Sequence, residues 1–117
     1  MGVCVLVLGD TGSGKSSSLR NFEVDELGIF NVMGKPLPFR KRLLMADHSR
    51  YDSIIASLKN NTMRVYVVDD AGYLMSLENF ARARETGYGK FTDMAMRFEQ
   101  LIEAATQTDR DTVVYLF

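Results

Sequence analysis

The sequence has few cysteines and no long hydrophobic run. It contains one cysteine in 117 residues, which excludes an internal disulfide and a cysteine-based zinc site and favours a reducing cytoplasm. The longest apolar run, residues 3–8, has six residues, whereas spanning a bilayer takes about 20. The start lacks the basic segment and the small-residue cleavage site of a signal peptide. We therefore expect a soluble, cytoplasmic protein with no membrane partner.

An excess of charge of one sign is also absent. The chain has 14 basic and 15 acidic residues, a net charge of −1, which excludes a strongly basic nucleic-acid arm. Apolar residues make up 46% and charged residues 25% of the chain, so a disordered tail and a collagen-like fibre are excluded as well. No repeat or linker divides the sequence. We predict one small domain over residues 1–117.

Three short runs rich in β-branched residues predict buried strands, at residues 3–8, 65–68 and 112–117, and a weaker fourth run covers residues 28–33. Their nearly continuous apolar character indicates that both faces are covered, as in a parallel sheet with helices on each side. Alternation of these strands with helical patterns predicts an α/β fold of three layers, with a mostly parallel sheet of about four strands.

Four helical segments are predicted between the strands. They cover residues 14–21, the region of Ile54, Ile55 and Leu58, residues 77–86, and residues 93–107. Asp52 or Ser53 would cap the second segment and Ser76 the third. The last segment has one apolar stripe with a period of 3.6 residues, formed by Met94, Phe98, Leu101, Ile102 and Ala105.

A glycine-rich motif follows the first predicted strand and matches G-x-x-x-x-G-K-[ST] at every fixed position. Its glycines permit positive φ and lack Cβ, so backbone N–H groups can turn toward phosphate oxygens, helped by the start of the next helix. Lys15 would contact the β- and γ-phosphates, and the Ser16 hydroxyl would ligate Mg²⁺. The predicted nucleotide-binding residues are Gly9, Asp10, Thr11, Gly12, Ser13, Gly14, Lys15 and Ser16.

Two other interpretations of this motif are weaker. A dinucleotide fingerprint, G-x-G-x-x-G, does not fit because Ser17 stands where its third glycine belongs and Lys15 follows Gly14. A glycine-rich turn without a ligand is the remaining alternative. A strand pattern before the motif and a helix pattern after it favour a nucleotide site.

The predicted strand at residues 65–68 ends in two carboxylates, Asp69 and Asp70. In a parallel sheet the strand ends of one polarity lie together, so this pair should share an edge with the glycine-rich motif. Asp69 would then hold Mg²⁺ together with Ser16, and Asp70 would orient or deprotonate a water that attacks the γ-phosphate. The alternative is a solvated acidic turn. We predict Lys15 and Asp70 as catalytic residues, and Ser16 and Asp69 as metal ligands.

Both motifs together resemble the additional-strand branch of P-loop NTPases, which contains RecA-like and AAA ATPases. The sequence around the motifs is similar to that of phage-encoded AAA-type, RecA-like ATPases. The similar stretches are LVLGDTGSGKSSSLRNF (6–22), FNVMGKPLPFR (30–40), VYVVDDAGYLM (65–75) and GYGKFTDMA (87–95). The resemblance implies ATP and Mg²⁺ as cofactors, Ser17 near the α-phosphate, and a location in the host cytoplasm. It further implies single-stranded DNA as a partner, a role in recombination or replication, and assembly into homo-oligomeric rings or filaments.

The resemblance also implies a strand order of 5-1-4-3-2. Residues 112–117 would be strand 4, and the chain would lack strand 5 and the polar sensor residue expected directly after Phe117. We therefore expect a C-terminally truncated chain, with the phosphate-loop strand at an exposed sheet edge.

Smaller signals have both a functional and an ordinary interpretation. A basic cluster of Lys35, Arg40, Lys41 and Arg42 would follow a DNA backbone or form a solvated loop. In the segment at residues 87–91, Tyr88 or Phe91 would stack on a base or, as the favoured expectation, pack in the core. Cys4 should be a small core residue, and His48 should lie on the surface. Four basic residues of the last two predicted helices would either be ordinary surface residues or include an arginine finger that acts in trans. They are Arg82, Arg84, Lys90 and Arg97.

Three functions remain open from the sequence. The first is an Mg²⁺-dependent ATPase acting on phage DNA. The second is a P-loop module that holds ATP as a switch without turnover. The third is a small nucleotide or nucleoside kinase, which is disfavoured because no arginine-bearing lid is visible.

Overall fold

One sheet of five strands organises the chain. The computed structural model describes residues 1–9, 14, 16–36, 43–60, 62–109 and 111–117. The strands are β1 (Val3–Leu6), β2 (Leu27–Asn31), β3 (Leu44–Asp47), β4 (Val65–Asp69) and β5 (Val113–Leu116). A 3₁₀ helix (Ser16–Asn21) follows β1, and the α-helices are α1 (Tyr51–Asn60), α2 (Tyr73–Ala81) and α3 (Gly89–Thr106).

The strands lie in the order β1-β5-β4-β2-β3, and each neighbouring pair is parallel. The four predicted strands are confirmed to within two residues at each end, and so is the α/β class. The predicted burial of the first strand is wrong: among the described strands β1 has a neighbour on one side only, and Val3 and Leu6 are exposed. The fifth strand, β3, was not predicted. It pairs with β2 from Gly28 and Leu44 to Asn31 and Asp47. None of its residues is β-branched or aromatic, so it lacks the composition that marks a strand in the sequence.

All three α-helices pack on the same face of the sheet. They bury apolar side chains against alternate residues of β2, β4 and β5, because successive strand residues point to opposite faces. Cys4 of β1 packs against this core, and burial raises the pKa of its thiol. The fully buried side chains here include Ile54, Leu58, Leu74, Leu101, Val68, Val114 and Leu116.

The 3₁₀ helix lies on the opposite face, where Leu19 packs on Leu27, Ile29 and Val67. In the described part of the chain, this short helix is the only helix on that face of the sheet. The predicted three-layer arrangement therefore has three α-helices on one face and one short 3₁₀ helix on the other. A cavity of about 310 Å³ lies beside the helix, lined by Val7, Ser18, Asn21, Phe22, Tyr115 and Phe117.

Two predicted helix caps are wrong. α2 begins at Tyr73, so Ser76 lies inside the helix. The reason is a tight turn directly after β4, in which the Ala71 N–H donates to the Phe117 carbonyl at 2.9 Å and the Tyr73 N–H donates to the Asp70 carbonyl at 3.0 Å. Capping residues in the local sequence do not predict this turn, because the hydrogen bond between Ala71 and Phe117 joins two distant parts of the chain.

α1 begins at Tyr51, so Asp52 and Ser53 lie in its first turn and neither is the N-cap. The Ser53 hydroxyl still accepts the Arg50 N–H at 3.2 Å, which is the reciprocal half of a capping box. α3 begins at Gly89, one turn before the predicted start, and ends at Thr106. Four residues of its predicted stripe are buried or half-buried, but Ile102 is 38% exposed.

A buried carboxylate joins the three helices. Glu78 of α2 is 8% exposed and accepts a hydrogen bond from Arg97 of α3 at 2.8 Å. The Arg97 guanidinium also lies 5.1 Å from the ring centroid of Tyr51 of α1. Burial, together with the Glu78 charge, raises the pKa of Tyr51 to about 12. Arg97 therefore serves interhelical packing.

Within the described residues, no helix is both long enough and apolar enough to cross a membrane.

Candidate functional site

The carboxyl ends of the parallel strands meet at one edge of the sheet, where ligands bind in open α/β sheets. Asp69 at the end of β4 is in register with Asn31 of β2, and Asn31 is in register with Asp47 of β3. Gly9 follows β1, and β5 separates β1 from β4. With neighbouring strands about 4.8 Å apart, the ends of β1 and β4 are about 10 Å apart. The acidic pair and the start of the glycine-rich motif therefore share this edge.

The glycine-rich motif is described in part. Gly14 has a φ of +91°, which favours glycine, and an added Cβ would meet no atom of a described residue within 4 Å. Its carbonyl accepts the Ser18 N–H at 3.0 Å, and the 3₁₀ helix begins at Ser16, where the sequence predicts a helix. Ser17 is half-buried in that helix. The other predicted phosphate-binding residues, Asp10, Thr11, Gly12, Ser13 and Lys15, lie outside the described residues.

The two acidic residues occupy different environments. Asp69 is the last residue of β4 and is 7% exposed, whereas the Asp70 side chain is 25% exposed. Asp70 has a φ of +61°, a left-handed conformation that aspartate tolerates better than most residues. This conformation turns the chain from β4 into α2 and leaves the Asp70 carboxylate at the rim of the edge.

A buried side chain holds the turn that follows β2. Asn31 is 1% exposed; its Oδ1 accepts the Lys35 N–H at 3.2 Å, and its Nδ2 donates to the Lys35 carbonyl at 2.5 Å. Gly34 has a φ of +68°, and a Cβ there would lie 2.6 Å from the ring of His48, which is itself exposed as predicted. The backbone of Lys35 is thus fixed beside the end of β2.

This turn brings a cation to the acidic pair. Lys35 Nζ lies 3.6 Å from Asp70 Oδ2 and 5.6 Å from the ring centroid of Tyr73, the first residue of α2. The Lys35 side chain remains 59% exposed. The sequence singles out Lys35 only as part of a basic cluster, and the other members, Arg40, Lys41 and Arg42, lie outside the described residues.

The donor set at this edge fits Mg²⁺ only in company with a nucleotide. Among the residues that the structure describes, no group of three or more histidine, cysteine, aspartate or glutamate side chains could hold a metal ion. Asp69 offers a single carboxylate. Mg²⁺ is commonly bound through one or two protein oxygens, with phosphates and water completing its shell, and one carboxylate at the same edge as the glycine-rich motif suits that mode.

Three exposed aromatic rings, which we call the aromatic tip, lie in and beside the connection between α2 and α3. Phe80 near the end of α2 is 78% exposed, Tyr88 in the connection 90%, and Phe91 at the start of α3 56%. The expectation that Tyr88 or Phe91 packs in the core is wrong for both. All residues from 83 to 89 are exposed, because the hairpin turn projects beyond the core that the helices share with the sheet. Gly87, with a φ of +95°, permits the turn.

Ionic contacts give the aromatic tip a defined shape. Arg82 pairs with Glu85 at 2.7 Å and with Asp93 at 3.3 Å, and the hydrogen bond to Glu85 raises the pKa of Arg82. Lys90 Nζ donates to the Arg82 carbonyl at 3.2 Å and lies 5.1 Å from the Phe91 ring centroid. Arg82 and Arg97 thus make internal contacts. Arg84, by contrast, is exposed and has no ion pair with any described residue.

Sequence reasoning missed the parts of the edge that surround Asp70. Asn31 interrupts an apolar run near the end of a predicted strand, and polar residues at that end of a parallel strand often face a ligand, so a signal for it existed. For the pairing of Lys35 with Asp70 and Tyr73 there was no local signal, because these residues are distant in sequence.

No protein-family model matches this chain, and no curated protein sequence is significantly similar to it.

Proposed function

We propose that this protein is an ATP-binding, Mg²⁺-dependent P-loop ATPase of the additional-strand branch that acts on phage DNA in recombination or replication. One observation carries the proposal: a complete phosphate-loop consensus follows β1, and an Asp69–Asp70 pair ends β4 at the same edge of a parallel sheet.

The strand order supports this assignment. In the branch that the sequence resembles, strands 1, 4, 3 and 2 are neighbours in that order. β1, β5, β4 and β2 are neighbours in the corresponding order here. Within the described residues β1 is an edge strand, with Val3 53% and Leu6 61% exposed.

Each predicted site residue has a separate role in the proposed reaction. Lys15 donates to the β- and γ-phosphate oxygens and stabilises the charge that grows on them, and Ser17 lies near the α-phosphate. Asp70 orients a water toward the γ-phosphorus and takes up its proton. As the water oxygen bonds to phosphorus, the bond to the β–γ bridging oxygen breaks, which yields ADP and inorganic phosphate. Mg²⁺, held through Ser16 and Asp69, would supply further positive charge to the phosphates.

Replacing Asp70 by asparagine tests the chemical step. Asp70→Asn should bind ATP at least as tightly as the wild type, while phosphate release falls about 10²- to 10⁴-fold, the range for loss of a general base. Phosphate release over time and calorimetric titration with ATP measure the two effects. Asp109→Asn is the matched control, because Asp109 is exposed and precedes β5 at the opposite edge of the sheet.

The same assays separate the rival functions. Tight Mg·ATP binding by wild-type protein without phosphate release would favour a non-hydrolysing module, and phosphate transfer to a nucleoside acceptor would favour a small kinase. Unchanged turnover in Asp70→Asn would remove this residue from the mechanism.

The aromatic tip supports single-stranded nucleic acid as the partner. Exposed rings such as Tyr88 offer stacking surfaces to bases, and Lys90 and Arg84 lie close to Tyr88 in sequence. The charges around the aromatic tip nearly balance, since three basic residues, Arg82, Arg84 and Lys90, stand against Glu85 and Asp93. Base stacking should therefore contribute more to binding than phosphate contacts. In an oligomeric ring or filament, Arg84 is the candidate cation for a neighbouring site.

Removing the most exposed ring tests the nucleic-acid partner. Tyr88→Ala should weaken binding of a fluorescent single-stranded oligonucleotide about 5- to 150-fold, because stacking on one base contributes about 1–3 kcal/mol. Ile102→Ala removes an exposed apolar side chain from the same hairpin without touching the aromatic tip, and it should bind like the wild type. Equal binding by all three proteins, measured as fluorescence anisotropy, would exclude the aromatic tip as the nucleic-acid site.

A further inference from the structure

The ion pair between Lys35 and Asp70 places a positive charge beside the carboxylate that the proposed reaction needs. The distance of 3.6 Å between Lys35 Nζ and Asp70 Oδ2 is that of an ion pair. In the proposed reaction Asp70 acts on the attacking water, and the ammonium group of Lys35 occupies one of the carboxylate oxygens that this water would need.

The two ends of the Lys35 residue are held differently. Its carbonyl accepts a hydrogen bond from the buried Asn31 Nδ2, its N–H donates to Asn31 Oδ1, and the glycine turn packs against His48. Its side chain is 59% exposed, so the ammonium group is free to change partner while its attachment point stays in place. The Tyr73 ring at 5.6 Å gives the cation a second, non-anionic neighbour.

We propose that Lys35 binds the γ-phosphate of a nucleoside triphosphate and is paired with Asp70 until that nucleotide arrives. This role depends on the proposed function. The ammonium group pairs with Asp70 when no nucleotide is present. A terminal phosphate carries more negative charge than one carboxylate and presents several acceptor oxygens, so it competes for Lys35 when it arrives at the edge. Transfer of Lys35 to that phosphate releases Asp70 to act on water, which couples the catalytic carboxylate to the presence of the γ-phosphate.

Exposure makes this exchange easy. Solvent-exposed ion pairs are weak, because water screens both charges and the long side chain loses conformational freedom in the pair. A nucleoside diphosphate has no γ-phosphate and would leave the Lys35–Asp70 pair in place. The structure therefore assigns to Lys35 a preference for triphosphate over diphosphate.

Paired nucleotide titrations test this role. The dissociation constants of a non-hydrolysable ATP analogue and of ADP, each with Mg²⁺, are measured calorimetrically for the wild type, Lys35→Met, Lys35→Arg and Lys59→Met. Lys35→Met should lose about tenfold in affinity for the triphosphate analogue, as expected for one hydrogen bond to a charged group, and should bind ADP within about twofold of the wild type. Lys35→Arg should restore most of the preference. Lys59→Met removes an exposed lysine at the far end of α1 and should behave like the wild type.

Asp70→Asn supplies a second readout that a merely structural role would not produce. Without its carboxylate partner, Lys35 is released for the phosphate, so this variant should bind the triphosphate analogue more tightly and ADP unchanged. In the double variant Lys35→Met/Asp70→Asn, this gain should disappear.

The outcomes separate the two proposals. If the wild type binds neither nucleotide, the proposed function fails, and the role of Lys35 fails with it. If the wild type binds both nucleotides but Lys35→Met loses affinity for both equally, or for neither, the role of Lys35 alone is overturned.

Discussion

Lys15→Ala is expected to weaken Mg·ATP binding about 10- to 100-fold while leaving the fold intact. Hydrogen bonds between a cationic donor and a charged acceptor contribute about 1.5–3 kcal/mol, and each 1.4 kcal/mol corresponds to a factor of ten in affinity. Lys15 is the one cation in the phosphate-loop consensus, residues 9–16, so in the proposed site its loss would remove the point charge expected nearest the β- and γ-phosphates.

Calorimetric titration with ATP and thermal melting of the same samples measure the two parts of this prediction. Arg20→Ala is a suitable control, because Arg20 is an exposed basic residue of the 3₁₀ helix Ser16–Asn21 and lies outside the consensus. Wild-type affinity in Lys15→Ala would contradict the assignment of residues 9–16 as a phosphate loop, and the glycine-rich turn without a ligand would then be the better interpretation.

Leu101→Ala is expected to lower the free energy of unfolding by about 2–5 kcal/mol. Leu101 is completely buried on α3, in the core that all three helices share with the sheet. Truncation removes its contacts and leaves a cavity that the neighbouring side chains fill only in part. In a small domain such a loss is a large share of the total stability.

Urea denaturation followed by circular dichroism measures this effect as a shift in midpoint at constant slope. Ile102→Ala is the matched control, since Ile102 follows Leu101 in the same helix but is 38% exposed; it should cost clearly less. Equal losses in the two variants would mean that α3 does not pack on the sheet through Leu101.

Elements with strong local patterns could be predicted from the sequence. β1, β4 and β5 are short, rich in β-branched residues and bounded by polar residues or glycine, and such runs form strands in most contexts. Their burial was predicted correctly for β4 and β5 but not for β1. The stripe of α3 has the helical period, and four of its five residues are buried or half-buried. The phosphate-loop consensus and the Asp69–Asp70 pair were also visible, because each is defined by neighbouring residues.

Other features were decided only by the tertiary structure. β3 exists because β2 offers a free edge to pair with; its exposed Leu44 and polar Asp47 do not mark a strand by themselves. α2 begins at Tyr73 because the Ala71 N–H reaches the carbonyl of Phe117.

The same distinction applies to the candidate site. Parallel pairing puts Asp69 at one edge with Asn31, and the turn clamped by Asn31 then carries Lys35 to Asp70. The exposure of Tyr88 likewise depends on where the α2–α3 hairpin ends relative to the core. Local patterns record what a segment prefers to form. Which charges meet and which rings face solvent depends on contacts between segments far apart in the chain, and those contacts exist only once the sheet has assembled.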